Sequence, residues 1–249
     1  MQTLKAQSES EQYKYNVGAS SGRPFFNCRG RRPDVPCAPQ AHKKGEKMNN
    51  FNFIKDERLQ KQIKFAIVID EMKNIFRRNL IIDGSRREND AEHSWNLAML
   101  AMLFEEYSTE KVNIEKVLKI ALVHDLIEVY AGDTFAYDVK GNEDKLQREI
   151  ESANKLFGIL DPVQGAEIRA LWDEFEAKET PESKYANAID RIQPLINNYL
   201  TNGHTWKEGD VHAPQILKRM DIIRTTTPAL WPIVEGIIST SIEIGILKP

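Results

Sequence analysis

Cysteine is nearly absent: the 249 residues hold two, Cys28 and Cys37, both inside the first 47 positions. The rest of the chain therefore has no disulfide framework and no thiolate metal site, which suits a reducing, cytoplasmic setting. Long apolar runs are missing too. Nothing approaches the ~20 residues a helix needs to cross a bilayer, and the N-terminus lacks the apolar core of a secretory signal. Concentrated positive charge is absent from the body. Residues 1–47 carry nine Lys and Arg against four acids, but residues 48–249 carry 25 against 33, a net −8. Binding a nucleic-acid polymer needs a concentrated basic footprint, so neither such a polymer nor a membrane is an expected partner. No stretch shows the alternating, β-branched character of a half-buried strand, and no segment repeats.

What is present falls into two parts. Residues 1–47 are rich in Gly, Pro, Ser and charge without helical period, and are expected to be a disordered extension. A transit peptide is disfavoured by Glu9, Glu11 and Asp34. Met48 opens a regular sequence and is the expected natural start, so 48–249 is read as one all-α domain, a helical bundle. Phe65, Ile69, Met72, Phe76 and Leu80 recur at helical spacing, which predicts one helix ending with Arg77 and Arg78 in its last turn. Asp90 is the expected N-cap of a second helix, where His93 shares a face with Leu97, Leu100 and Phe104. A third is expected from about Asn113 to Gly132, with Val117, Ala121, His124, Asp125 and Glu128 on one face. Leu146 to Phe157, Pro162 to Phe175 and a segment from about Pro181 predict three more, the last carrying Asp190. Two further helices are expected within 211–247.

The chemistry concentrates on four residues. His124-Asp125 stands in the apolar stretch KVLKIALVHDLIEVYAGD, where burying an imidazole and a carboxylate is costly unless something compensates them. Singly, each candidate has an ordinary reading: a core histidine bonded to a carbonyl, or a solvated helix acid. Together, His93, His124, Asp125 and Asp190 offer two nitrogens and two oxygens, and one divalent cation would satisfy all four. Glu128 lies one turn beyond His124, placed to move protons. Asp133 follows Gly132 at a helix end, where an acid is disfavoured by the helix dipole. Arg77, Arg78, Arg86 and Arg87 precede the His93 helix, a cluster suited to phosphate.

This order resembles the H…HD…D pattern of the HD-domain metal-dependent phosphohydrolases. The segments EHSW, HDLIEVYAGD and LWDEFE…ESKYANAIDRIQP are similar to the branch containing bacterial 5′-deoxynucleotidases and their eukaryotic relatives, over about residues 57–230. The resemblance implies that His93, His124, Asp125 and Asp190 hold one divalent metal (Mn, Co, Mg, Fe or Zn), with Glu128 and Asp133 in the substrate pocket. It implies a nucleotide substrate, most narrowly a (deoxy)nucleoside 5′-monophosphate, and leaves a homodimer open. The family places a phosphate-binding arginine before the first histidine; Arg78 and Arg86 both match. In the deoxynucleotidase branch that arginine is commonly followed by Trp, whereas here Arg78 precedes Asn79. Hydrolysis of a pyrophosphate or triphosphate is the rival within this chemistry and would call for a larger basic pocket. A nucleotide-sensing module without catalysis is the rival outside it, and would need neither Glu128 nor Asp133.

Overall fold

Apolar residues at helical spacing and well-placed caps decide most of the architecture. The structure is a computed structural model and describes residues 51, 53–138 and 140–249. The expected disorder of 1–47 and the start at Met48 lie outside the described residues. Helix α1 (Glu57–Ile69) begins at Asp56, whose carboxylate accepts from the amides of Arg58 and Leu59. It stops well before the expected end at Leu80. A short 3-10 turn (Asp70–Asn74) follows, then β1 (Phe76–Leu80), which pairs antiparallel with β2 (Arg87–Asn89). Helical spacing also fits a strand this short, and the overriding signal is the turn between the strands. There Gly84 adopts φ +72° and Asp83 accepts from the Ser85 amide at 2.8 Å, the usual chemistry of an Asp-Gly hairpin.

Asn89, rather than Asp90, caps α2 (Asp90–Leu103), in a reciprocal capping box with Glu92. The expected helix from 113 to 132 is interrupted: α3 (Ile114–Val123) ends at His124, and after a turn α4 (Glu128–Ala131) leads to Gly132 at φ +75°. The next three helices follow expectation: α5 (Lys145–Phe157), α6 (Pro162–Ala177) and α7 (Pro181–Leu200). Asp161 and Thr180 cap the last two, each followed by proline at the first helical position, where a missing N–H costs nothing. The C-terminal part forms α8 (His204–Glu208), α9 (Ala213–Thr226) and α10 (Trp231–Glu243).

Helix α7 is the axis of the bundle. It packs against α2, α3, α6, α9 and α10, and Tyr185, Ile189, Ile192 and Leu195 along it are fully buried with Leu97, Ile120, Ile216 and Ile223. Each such side chain contributes about 1.5–3 kcal/mol, so the polar residues on the same helix are held on a stiff support. A second apolar cluster, including Phe65, Ile127, Leu156 and Trp172, joins α1, α5 and α6 beside the α3–α4 break. Among the described residues no helix is long and apolar enough to cross a membrane.

Candidate active site

The interruption after Val123 creates the site. At the end of α3 the His124 ring turns back, and its Nδ1–H donates to the carbonyl of Ala121 at 2.8 Å. Its other nitrogen, Nε2, then faces inward. His93, wholly buried on α2, reaches the same place by another route. Its Nδ1–H donates to Gln193 Oε1, and Gln193 Nε2 donates to the Glu88 carboxylate. A carboxylate can only accept, so Glu88 decides which way the Gln193 amide points, and the amide assigns the proton on His93 to Nδ1. Both imidazoles thereby turn Nε2 toward the same two acids. His93 Nε2 lies 2.9 Å from Asp190 Oδ1 and 3.8 Å from Asp125 Oδ2. For His124 Nε2 the distances are 3.0 Å to Asp125 Oδ2 and 3.8 Å to Asp190 Oδ1. With Nδ1 protonated on each ring, lone pairs meet lone pairs, and only a proton or a cation can hold them so close.

The electrostatics follow from that arrangement. Burial opposes charge on His124, but Asp125 and Asp190 outweigh it and raise its pKa to about 9, so a proton bridges the cluster when no cation does. Burial likewise opposes ionisation of Asp125 and Asp190; His124 and Arg77 hold the first below the usual carboxylate range, and His93 holds the second well below it. Arg77 Nη1 lies 2.8 Å from Asp125 Oδ2 and 3.7 Å from Asp90 Oδ1. Its own pKa rises, since Asp125, Asp133 and Glu128 together overcome its burial.

Next to this cluster is a set of acids with the opposite tendency. Glu128 is buried and its pKa is pushed well up, first by burial, then by Asp125 and Asp90. Asp90, fully buried at the start of α2, rises to about 7 by burial and by Asp125. Asp133 is raised as well, by burial, against the pull of Arg77. All three acids thus resist a further negative charge among them, burial being the main cause. Glu128 Oε2 and both Asp90 oxygens are buried without a hydrogen-bond partner among the described residues, leaving capacity for another occupant.

A cavity opens over the cluster, lined by Asp125, Glu128, Asp133, Asp190, Arg77 and Arg78 among others. Arg77 and Arg78 are adjacent in β1 and in a regular strand would point to opposite faces. Between the pairs Phe76–Asn89 and Leu80–Arg87, however, three residues of β1 stand opposite one of β2, and this bulge lets both arginines reach the cavity. Arg78 lies over the Phe135 ring at 4.7 Å. Arg86 does not join them. It is half-exposed, forks onto Glu92 at 2.8 and 2.7 Å, and lines no part of the cavity. Sequence did not single out Glu88 or Gln193, offered Asp90 only as a helix cap, and offered Arg77 only as one of four arginines suited to phosphate. Spacing could have flagged two: Asp90 is three residues before His93 and Gln193 three after Asp190, each on its neighbour's helix face.

Residues 69–231 match the family model described as HD domain. The crystal structure of a predicted metal-dependent phosphohydrolase from Magnetospirillum magnetotacticum MS-1 is similar over 78% of this chain and 97% of its own, at 42% identity and a TM-score of 0.74. A zebrafish (Danio rerio) protein named 5′-deoxynucleotidase HDDC2 is 26% identical over 171 residues, 64% of this chain and 84% of that protein. The 5′-deoxynucleotidase hdd1 of Schizosaccharomyces pombe is 30% identical over 142 residues, 55% of this chain and 70% of that one.

Proposed function

The chain belongs to the HD-domain family of metal-dependent phosphohydrolases, and from that premise we propose that it hydrolyses (deoxy)nucleoside 5′-monophosphates to nucleoside and phosphate. The observation that carries the reading is the meeting of two imidazole lone pairs with Asp125 and Asp190 under a cavity containing Arg78. His93, His124, Asp125 and Asp190 would hold one divalent cation, and the N2O2 donor set accepts Mn, Co, Mg, Fe or Zn. Bound there, such a cation supplies Lewis acidity and brings the pKa of a water near neutrality.

The remaining steps fall to the chain. Arg78 has no carboxylate within 4 Å among the described residues, and its planar fork suits the phosphate oxygens. Phe135 keeps it over the cavity. Attack by the water oxygen on phosphorus breaks the bond to the 5′ oxygen, which takes the proton held by Glu128; of the water's two protons one stays on the released phosphate and the other restores Glu128. Asp90 and Asp133 keep that proton on Glu128, because a further negative charge among them is costly. A non-catalytic sensor would need no proton store of this kind.

Metal analysis of the purified chain, with phosphate release from a panel of ribo- and deoxyribonucleoside 5′-monophosphates, tests the proposal. Metal-dependent release is expected, lost in His124→Ala together with the metal. A metal-loaded chain inert toward the whole panel would overturn it.

A further inference from the structure

Ten arginines lie in the described part of the chain, and seven have a carboxylate within 4 Å. The three without one are Arg78, Arg191 and Arg219, and all three line the same cavity. Surface arginines find acidic partners readily on so acidic a body, so this distribution calls for an explanation. Arg78 has one in the phosphate to be cleaved. Arg191 and Arg219 lie elsewhere: both also line an adjoining cavity with Tyr137 and Asn142, and that space contains none of His93, His124, Asp125 or Asp190.

Arg191 is fixed in place. It follows Asp190 on the stiff axis helix, and its Nη1 donates to the carbonyl and the side-chain oxygen of Asn187. Its Nε is buried with no partner among the described residues. Arg219, from α9, lines both cavities with it. The acids on the rim, Asp138 and Glu143, come within 4 Å of neither. Two cations lining one cavity with no carboxylate inside ion-pair distance of either among the described residues are suited to an anion that bridges them.

We propose that Arg191 and Arg219 form a second anion site, beyond the phosphate that is cleaved, and that the preferred substrate is a nucleotide carrying a further phosphoryl group. This deepens the function proposed above and rests on its placement of the reacting phosphate beneath Arg78. The further group is held by the two arginines and the Tyr137 hydroxyl while the 5′ ester is hydrolysed; a 3′-phosphate stays on the nucleoside, and the outer groups of a 5′ chain leave with the phosphate attacked. A 3′-phosphate and a longer 5′ chain share the required chemistry.

Steady-state kinetics on the Mn2+-loaded full chain, with deoxyadenosine 5′-monophosphate, 3′,5′-bisphosphate, 5′-diphosphate and 5′-triphosphate, test this. At least one doubly phosphorylated nucleotide should show a KM about tenfold or more below that of the monophosphate, the yield of one charge-assisted hydrogen bond. Which one does so identifies the source of the second group. Arg219→Ala should bring that ratio close to one, and Arg219→Lys should recover part of it. Equal KM values across the wild-type panel, or an Arg219→Ala change that weakens the monophosphate as much as the others, would overturn the second site. Titration calorimetry with the same ligands separates the two claims. A chain that turns over none of them yet binds a doubly phosphorylated one tenfold more tightly has lost the proposed function and kept the anion site; equal affinities overturn the site as well.

Discussion

Glu88, whose Oε2 lies 3.9 Å from His93 Nδ1, sets the tautomer of His93 through the amide of Gln193, which donates to Glu88 and accepts from His93. Glu88→Gln should weaken that control. A glutamine at 88 can donate, so the Gln193 amide can turn over and offer its NH2 to His93 Nδ1, moving the ring proton to Nε2. Metal affinity should then fall by about 10–100-fold, as for other partners that orient metal-binding histidines. Histidine 15N shifts read the tautomer directly in the metal-free protein. An Nδ1–H ring at 93 with unchanged metal affinity in the variant would show that the chain of bonds orients nothing.

Metal uptake should displace the proton that bridges His124 and the two acids. With a folded pKa of about 9 against an ordinary 6.5, that proton stabilises the metal-free fold fully below pH 6.5, and the contribution disappears as pH rises through 9. The upper limit is about 3 kcal/mol. Denaturation of chelated protein between pH 6 and 10 should show the decline, and His124→Gln should flatten it. Calorimetry in two buffers of different ionisation heat should detect proton release on metal binding.

Glu128→Gln retains size and most hydrogen bonding but removes the proton store. Metal content and fold should persist while kcat falls by ~10²–10⁴. Loss of metal in this variant would make Glu128 a ligand instead, and near-normal turnover would remove it from the reaction.

The two arginines that sequence could not separate should now diverge. Arg78→Ala should raise KM for the phosphate ester by about 10–100-fold, through loss of charge-assisted hydrogen bonds. Arg86→Ala breaks an exposed pair with Glu92, so kcat and KM should stay at wild-type values. Equal damage from both would indicate that the hairpin changes position when substrate binds.

The helices with strong punctuation were legible. Asp161-Pro162 and Thr180-Pro181 mark the starts of α6 and α7, and the apolar period does the rest. Two features were not. Residues 76–80 fit helical spacing, and the Asp-Gly turn that makes them a strand lies beyond them. The break at His124 was invisible because Val117, Ala121, His124 and Glu128 keep the helical period across it. What stops α3 is the outcome of packing and of the His124 ring, neither encoded in a local propensity. Within the site, residue types that do chemistry attracted notice. Gln193 and Glu88, which act by orienting others, did not, and Arg77 was noticed as a phosphate candidate rather than as the partner of Asp125.

One imidazole both closes α3 and faces the proposed cation position. The carbonyl of Ala121 is one of those a helix end leaves without an amide, and His124 supplies its partner. If a cation binds there as proposed, its occupancy should be coupled to fraying of the last turn of α3. Chelation should speed amide hydrogen exchange at Val123 and His124 more than in the middle of α7, turning a local opening equilibrium into a gauge of metal loading.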